Sequence, residues 1–456
     1  MMKHLYLYLF CLTVLVSSCC VSRMTKPHSK SYSPYYFGLA EAQTGVERYI
    51  VLLKTHQAAL AAGKDVDYSG IERIDIEIPN NFRTIPLTRV NDFKGCVINV
   101  KNTSKKVCLF TAKQEGRPIL VKKAMIDGRD FRSLPELRRG KVLLLIEDEN
   151  PWVQNRRGHD YGHQRQDILL LKKGRARNTV VMPYNNNESS PVCKFVKADS
   201  PLVIRNLTVS RDKASTYITN VVTVNGFDDV HFSKVTINTP ESDMSGDAAL
   251  RILNSTDVTI TDVNINGTYS QVKKSGYGIS LGNVWNFKAT RLNGKGNWGI
   301  FGNNNVNTAT IEDSEINRFD IHCYGRDVSF RNVKFYDLYN QFSSVFGCVS
   351  FDNCEFKDFT PVLIETSYNA YTAFDVNFND CVFYTTSKKD FLVNTGSLSG
   401  DVNTRSELSE KQLPRVNVNN MKVISLDTGE AKEQVDIFLK RGNFIRERRI
   451  QNVIKL

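Results

Sequence analysis

Val328-Ser329-Phe330-Arg331-Asn332-Val333-Lys334-Phe335 and Val349-Ser350-Phe351-Asp352-Asn353-Cys354-Glu355-Phe356 share one pattern: apolar residues at offsets 0, 2, 5 and 7, with polar residues between them. Six further copies surround these two: Leu202/Ile204/Leu207/Val209, Val230/Phe232/Val235/Ile237, Val258/Ile260/Val263/Ile265, Phe287/Ala289/Leu292 ending in Gly294, Ala309/Ile311/Ser314/Ile316 and Val376/Phe378/Cys381/Phe383. The first residues of the eight lie 28, 28, 29, 22, 19, 21 and 27 positions apart. Self-similarity at such a period marks a solenoid, in which each repeat buries its apolar face on its neighbours.

Each copy reads as two short strands of period 2 joined by a two-residue corner. The second corner residue is Asn or Asp in six of the eight copies (Asn206, Asp262, Asp313, Asn332, Asn353 and Asp380), the types that best tolerate a left-handed backbone. A third strand precedes several copies, at Val222/Val224, Leu250/Ile252, Ile279/Leu281, Ile300 and Phe319/Ile321/Cys323. A leucine-rich repeat would instead show a leucine ladder and a steadier period. The expected fold is all-β, a right-handed parallel β-helix with an N-terminal capping helix.

Working outward, residues 67–385 are expected to form the solenoid, with Ile74/Ile76/Ile78, Ile85/Leu87, Val97 to Val100 and Val142/Leu144/Ile146 as less regular early coils. Residues 39–66 hold the cap: Ala40 to Ala62 reads as a helix with Val46, Tyr49, Ile50 and Leu53 on one face and Gly63 as its stop. Such a helix covers the exposed edge of the first coil. Residues 386–456 lose the repeat and read as a C-terminal cap, with Glu433 to Arg441 a candidate helix.

At the start, Lys3 and His4 lead into the apolar run Leu5 to Val16, too short to span a bilayer as a mature anchor. Val16-Ser17-Ser18-Cys19 resembles a bacterial lipobox, which implies removal of residues 1–18 and lipid attachment at Cys19; an ordinary signal peptide cut nearby is the alternative. Residues 19–38, rich in Ser, Lys, Pro and Tyr, then read as a flexible tether. The implied place is the outer membrane, on either face, with the lipid as the only membrane contact. A monomer is expected. Cys354 and Cys381 hold one offset in adjacent copies and Cys323 lies on its own strand, so all three read as inward thiols rather than disulfide partners.

The formal net charge is +12, or +11 once Lys3 leaves with the leader, which suits an anionic partner. Seven Arg or Lys fall between Asn150 and Arg177 against Asp160 and Asp167. Within this stretch Trp152, Arg156, His159, Tyr161, His163 and Arg165 have the composition of a cleft wall, with aromatic rings for sugars and guanidiniums for carboxylate or sulfate groups. A solvated basic loop has the same composition. Nucleic acid would also suit the charge, but an envelope protein seldom meets it, and none is expected.

The densest constellation is Asn317-Arg318-Phe319-Asp320-Ile321-His322-Cys323-Tyr324-Gly325-Arg326. Alternation sends Arg318, Asp320, His322, Tyr324 and Arg326 outward, within about 14 Å at roughly 3.3 Å per residue. Neighbouring coils add Arg251, Ser280 and the loop Asn303-Asn304-Asn305 to the same face. With stacking in register, Arg251 and His322 stand about 14 Å apart, which suits an extended glycan groove. His231 has no comparable surroundings and reads as surface.

The stacked coils, corner asparagines and capped N-terminus resemble the pectate-lyase-like right-handed β-helix superfamily over residues 67–385. With the lipobox and the basic groove, the chain is similar to secreted bacterial polysaccharide lyases that cut uronic-acid polymers such as hyaluronan and chondroitin. A fold hosts many functions, so the reaction rests on the site. The resemblance implies β-elimination: neutralisation of the uronate carboxylate, removal of the C5 proton and protonation of the leaving oxygen. Arg318, Arg326 or Arg251 would neutralise, with amide donors from Asn304 or Asn305. His322 would be the base, Tyr324 the acid, and Asp320 would orient His322 or an arginine. The alternative assignment places the base at His159 or His163 and the acid at Tyr161. No cofactor is expected; Asp243 and Asp247 near Glu241 suit either Ca2+ or a loop turn. Two other readings stand beside the lyase: a glycoside hydrolase needing two groove carboxylates, for which Asp247 and Asp320 are candidates, and a non-catalytic glycan-binding lipoprotein.

Overall fold

The computed structural model describes residues 31–101, 107–153, 163–181, 183–185, 189–198, 201–211, 218–238, 248–267, 276–295, 298–322, 324–336, 339–343, 345–365, 374–386, 391–396, 414–431 and 436–440. Among them, 25 strands join in one continuous sheet that winds as stacked coils. Each repeat pairs in parallel with the next at one register: Leu202 with Val230, Val230 with Val258, Val258 with Phe287, Phe287 with Ala309, Ala309 with Val328, Val328 with Val349, and Val349 with Val376. The apolar offsets therefore stack inward. Phe330, Phe351 and Phe378 form one column with ring centroids 4.9 and 5.0 Å apart and nearly parallel planes. Cys354 and Cys381 are free and buried, and burial followed by their mutual contact pushes the Cys354 thiol far up.

All six Asn and Asp corner residues have positive φ, between 49° and 56°. Lys234 and Arg291 stand at that corner in the other two copies and share the conformation, at φ 52° each. A left-handed backbone costs a non-glycine residue roughly 1–2 kcal/mol. Side-chain ladders offset part of this: Asn332 Nδ2 donates to Asp313 Oδ1 at 2.8 Å and Asn353 Nδ2 to Asn332 Oδ1 at 2.7 Å, while Arg291 Nε donates to Asp262.

Three expectations are corrected. First, a ninth copy, Val416/Val418/Met421/Val423, follows with Asn420 at its corner (φ 58°); Arg415–Asn419 pairs with Asp375–Asn379 and Lys422–Ser425 with Val382–Thr385. The step from Val376 to Val416 is 40 residues, longer than any other in the array, so the last copy stands apart in sequence. Asp436–Lys440, expected inside a helix, is a strand paired with Phe391–Gly396. The coils thus continue beyond residue 385.

Second, residues 31–38 are built rather than a loose tether. Ser31–Tyr32 pairs with Asp65–Asp67, and Pro34–Phe37 makes a 3-10 turn. The cap helix runs Gly45–Ala61, starting at Thr44 because Thr44 and Glu47 form a reciprocal capping box. It buries Tyr49, Leu52, His56 and Ala59 against the first coil, with Ile50 outside. Gly63, at φ 63°, ends it as expected.

Third, Val142/Leu144/Ile146 belong to no coil. Arg117–Ile119, Lys141–Val153, His163–Lys172, Arg175–Ala176 and Pro191–Lys197 form a separate five-stranded antiparallel sheet, inserted between the coil strands Val107–Lys113 and Leu202–Arg211. Its core contains Ile126, Phe131, Leu137, Val142, Leu144, Ile146, Leu169, Leu171 and Tyr184. Alternating apolar residues describe a half-buried strand whatever the direction of its partner, which is why this sheet reads as coil in sequence. Its other face packs Leu143, Ile168, Leu170 and Val196 near Trp285 of the solenoid.

Candidate active site

The third strand of each coil supplies one outward ladder: Thr111, Thr223, Arg251 and Ser280 stack in register, and Gly302, Asp320, Gln341 and Leu363 continue the series in the later coils. Two residues along, a second row contains Leu253, Gly282 and Asn304, then His322, whose N–H donates to the Asn303 carbonyl at 2.9 Å. The inward slot beside Ile279 and Phe319 belongs to Phe301 rather than Ile300.

Arg318, Asp320 and His322 come together as the alternation predicts, but sealed rather than exposed: Arg318 is 1% exposed, Asp320 0% and His322 8%. Arg318 Nε donates to Asp320 Oδ1 at 2.5 Å and Nη2 to Gln341 Oε1 at 2.9 Å. Its guanidinium carbon lies 4.7 Å from the ring centre of Trp298 and 5.0 Å from that of Tyr339, within cation–π range. Burial alone would lower the Arg318 pKa; the Asp320 carboxylate, with Tyr277 and Tyr339, overrides this and holds it above the ordinary arginine value. Asp320 Oδ2 lies 3.5 Å from His322 Nε2. The same nitrogen shares a 3.2 Å hydrogen bond with the Tyr277 hydroxyl. The result is a connected line, Arg318, Asp320, His322, Tyr277, combining a fixed cation, a carboxylate, an imidazole and a phenol.

Tyr277 did not emerge from the sequence, because it stands on a coil earlier than the constellation. Its signal is Gly302. A Cβ there would lie 2.6 Å from the Tyr277 ring, so only glycine lets the phenol lie across this strand toward His322. Trp298, Tyr339 and Gln341 were likewise missed, since each meets Arg318 from a neighbouring coil.

Other expected residues go elsewhere. Tyr324 is buried, and its hydroxyl accepts from the Gln166 N–H and donates to the Gln166 carbonyl at 2.7 Å, so it clamps the inserted sheet instead of facing substrate. Arg326 lies beyond that corner, on the strand Gly325–Tyr336, with Nη1 3.4 Å from Thr179 Oγ1 of the insert. Asn305 belongs to a corner ladder in which Asn305, Asn283 and Asn254 each donate to the asparagine one coil earlier, ending at Asn225, and Asn305 also donates to the Gln166 carbonyl. Its amide is therefore structural. Arg165 is buried inside the insert, pairing with Asp167 at 3.2 Å and lying 3.6 Å over the Tyr184 ring, so it is no cleft residue. Asn304 keeps its place, half-buried in His322's row, and Arg251 is exposed in Asp320's row. His231 is half-buried and meets Asp229 at 2.8 Å. Arg156, His159 and Tyr161, the side chains of Trp152 and His163, the candidate calcium group Glu241, Asp243 and Asp247, Cys323 and the lipidation site Cys19 lie outside the described residues.

Comparison with solved structures supports the architecture. The tailspike gp61 of Pseudomonas phage phi297 superposes with a TM-score of 0.50 at 13% identity, covering 91% of this chain and 80% of that one. The fold is a parallel β-helix. The tailspike gp49 of Pseudomonas phage LKA1 gives 0.49 at 13% identity over 91% and 83% of the two chains, and the endo-xylogalacturonan hydrolase of Aspergillus tubingensis 0.39 at 12% over 90% and 95%. Neither a protein-family model nor a curated protein matches the sequence. At 13% identity the likeness to the phi297 tailspike bears on the fold alone, and chemistry rests on this chain's own residues.

Proposed function

We propose that this β-helix protein is a polysaccharide lyase that cuts an acidic, uronate-containing polymer such as hyaluronan or chondroitin sulfate by β-elimination. The observation that carries the reading is the contact of one imidazole nitrogen with both a phenol and a carboxylate, beside a buried arginine. His322 Nε2 takes the C5 proton of the uronate; the C5–H electron pair becomes the C4=C5 double bond, and the C4–O bond breaks. Tyr277, in the role first given to Tyr324, protonates the departing oxygen and regains its proton from the imidazolium 3.2 Å away. The proton moves from C5 to the leaving oxygen, and both side chains end as they began. Asp320 stabilises the imidazolium and fixes the ring. Arg318 stays charged at any working pH, and its Nη1, without a partner among the described residues, is the donor for the substrate carboxylate. Arg251 and the net charge of +12 supply attraction for a polyanion along the open part of the ladder. Val16-Ser17-Ser18-Cys19 supports lipid anchoring of this activity to the envelope.

The test is to incubate the purified protein with hyaluronan, chondroitin sulfate, heparin and pectic polymers and follow the ultraviolet absorbance of a 4,5-unsaturated uronate. A rise on a uronate polymer, abolished in Tyr277→Phe and unaffected by EDTA, is the expected result. New reducing ends without absorbance would mean hydrolysis, and binding without cleavage a glycan-binding protein; either would overturn the reading.

A further inference from the structure

Burial along the outward ladder changes abruptly. On the N-terminal side Arg251 is exposed and Thr223, Ser280, Leu253, Gly282 and Asn304 are half-buried, and Gly302, one coil before Asp320, is buried under the Tyr277 ring. From His322 onward the same two rows are sealed: Gln341 is 0% exposed, Ser343 1% and Leu363 5%. The main-chain pairing runs on without a break, with Ser343 N–H donating to the Ile321 carbonyl at 3.1 Å and Gln341 paired to Leu363, so the change is one of covering and not of coil geometry. A groove that accepts a polymer by its middle needs room on both sides of the reacting bond. Here the open path ends where the histidine stands.

The sealed end is also polar in an unusual way. Gln341 Nε2 and Ser343 Oγ are both buried and have no hydrogen-bond partner among the described residues. Unpartnered buried donors are costly, and each calls for an explanation; a ligand's oxygens reaching the covered end would supply one for these two. Gln341 is fixed through its other amide atom, which accepts from Arg318, so its Nε2 is held in place. Trp298 and Tyr339, against the Arg318 guanidinium, flank the same end with aromatic surface suited to one sugar ring.

We infer that the polymer enters from the Arg251 side and stops at His322, so that the protein binds one chain end, with the covered coil of Gln341 and Ser343 as the wall against which the terminal sugar abuts, and releases small units from that end. This rests on the proposed lyase reading for the release step, but not for the binding step. An internal-cutting enzyme of the same fold would leave the ladder open past its base.

Two measurements on the full chain test it. Titrate His322→Ala, checked for folding by its thermal melt, with chondroitin sulfate and hyaluronan fractions of two well-separated lengths, at a salt concentration that suppresses non-specific binding to polyanions. End binding predicts about one protein per polymer molecule at both lengths, and Gln341→Ala weakening the affinity about tenfold. A stoichiometry that grows with chain length, or no binding to either polymer, overturns it. With wild-type protein and whichever polymer is cleaved, the smallest unsaturated product should be present from the first turnovers while the bulk polymer keeps its size. A ladder of intermediate fragments with an early collapse of viscosity overturns the inference while leaving the lyase reading intact; binding at chain ends without cleavage supports the inference and sinks the lyase.

Discussion

The outward face of the third strands behaves as two different surfaces. Around Thr223, Arg251 and Ser280 it is open, and the arginine stands in solvent; around Arg318, Asp320, His322, Gln341 and Ser343 it is closed, although the alternation of inward and outward residues is the same. Strand periodicity tells which side of the backbone a residue leaves, not whether anything lies over that side. The chemistry differs accordingly. An arginine in water is screened and adaptable, whereas a buried one must be paired, and here it is held by a carboxylate, an amide and two aromatic rings.

The largest effect that separates the two surfaces is on stability. Arg318→Ala leaves Asp320 buried without its partner and should cost about 3–5 kcal/mol, while Arg251→Ala should stay within about 0.5 kcal/mol; urea unfolding of the two variants measures both. Equal losses would mean that the closed surface is open in solution. A second sealed polar group, at the capped end, sharpens the rule. His56 is fully buried against the Tyr68 hydroxyl at 2.8 Å, and burial lowers its pKa from 6.5 to about 4. Because the folded value lies below the unfolded one, the stability this neutral histidine preserves is present above pH 6.5 and lost as pH falls toward 4. The loss amounts to about 3 kcal/mol at 1.36 kcal/mol per unit. Unfolding midpoints at pH 7 and pH 4 should therefore differ more in wild type than in His56→Gln. Smaller again is Tyr324→Phe, which removes the clamp on Gln166. It should cost about 1–3 kcal/mol and leave kcat at saturating substrate near the wild-type value. A hundredfold fall in kcat without loss of folding would return Tyr324 to the role of acid.

Much of this was legible in the sequence, for identifiable reasons. The coil stacking follows from offsets that repeat at fixed spacing, and the corners from Asn and Asp at one position, since a left-handed residue is a local requirement that local sequence meets. Arg318, Asp320 and His322 were found because they share one strand. Tyr277, Trp298 and Tyr339 were not, because their places depend on how much each loop lengthens a coil, and no pattern within a strand records that. The inserted sheet reads as coils in the sequence because antiparallel and parallel strands can show the same alternation. Its presence explains two misassigned roles: Tyr324 and Asn305 point outward as predicted, but the strand His163–Lys172 lies there to receive them.

The proposed base is His322, and a histidine on another strand of the coil, away from the third-strand ladder, provides its control. His231 also stands on a strand beside an aspartate, Asp229 at 2.8 Å, yet among the described residues no phenol or buried arginine is bonded to it. The deciding measurement is the initial rate of 4,5-unsaturated uronate formation by wild type, His322→Ala and His231→Ala, each shown to be folded. A loss of roughly 10²–10⁴-fold in kcat for His322→Ala, with His231→Ala unchanged, is the predicted result. Full activity in folded His322→Ala would contradict the account.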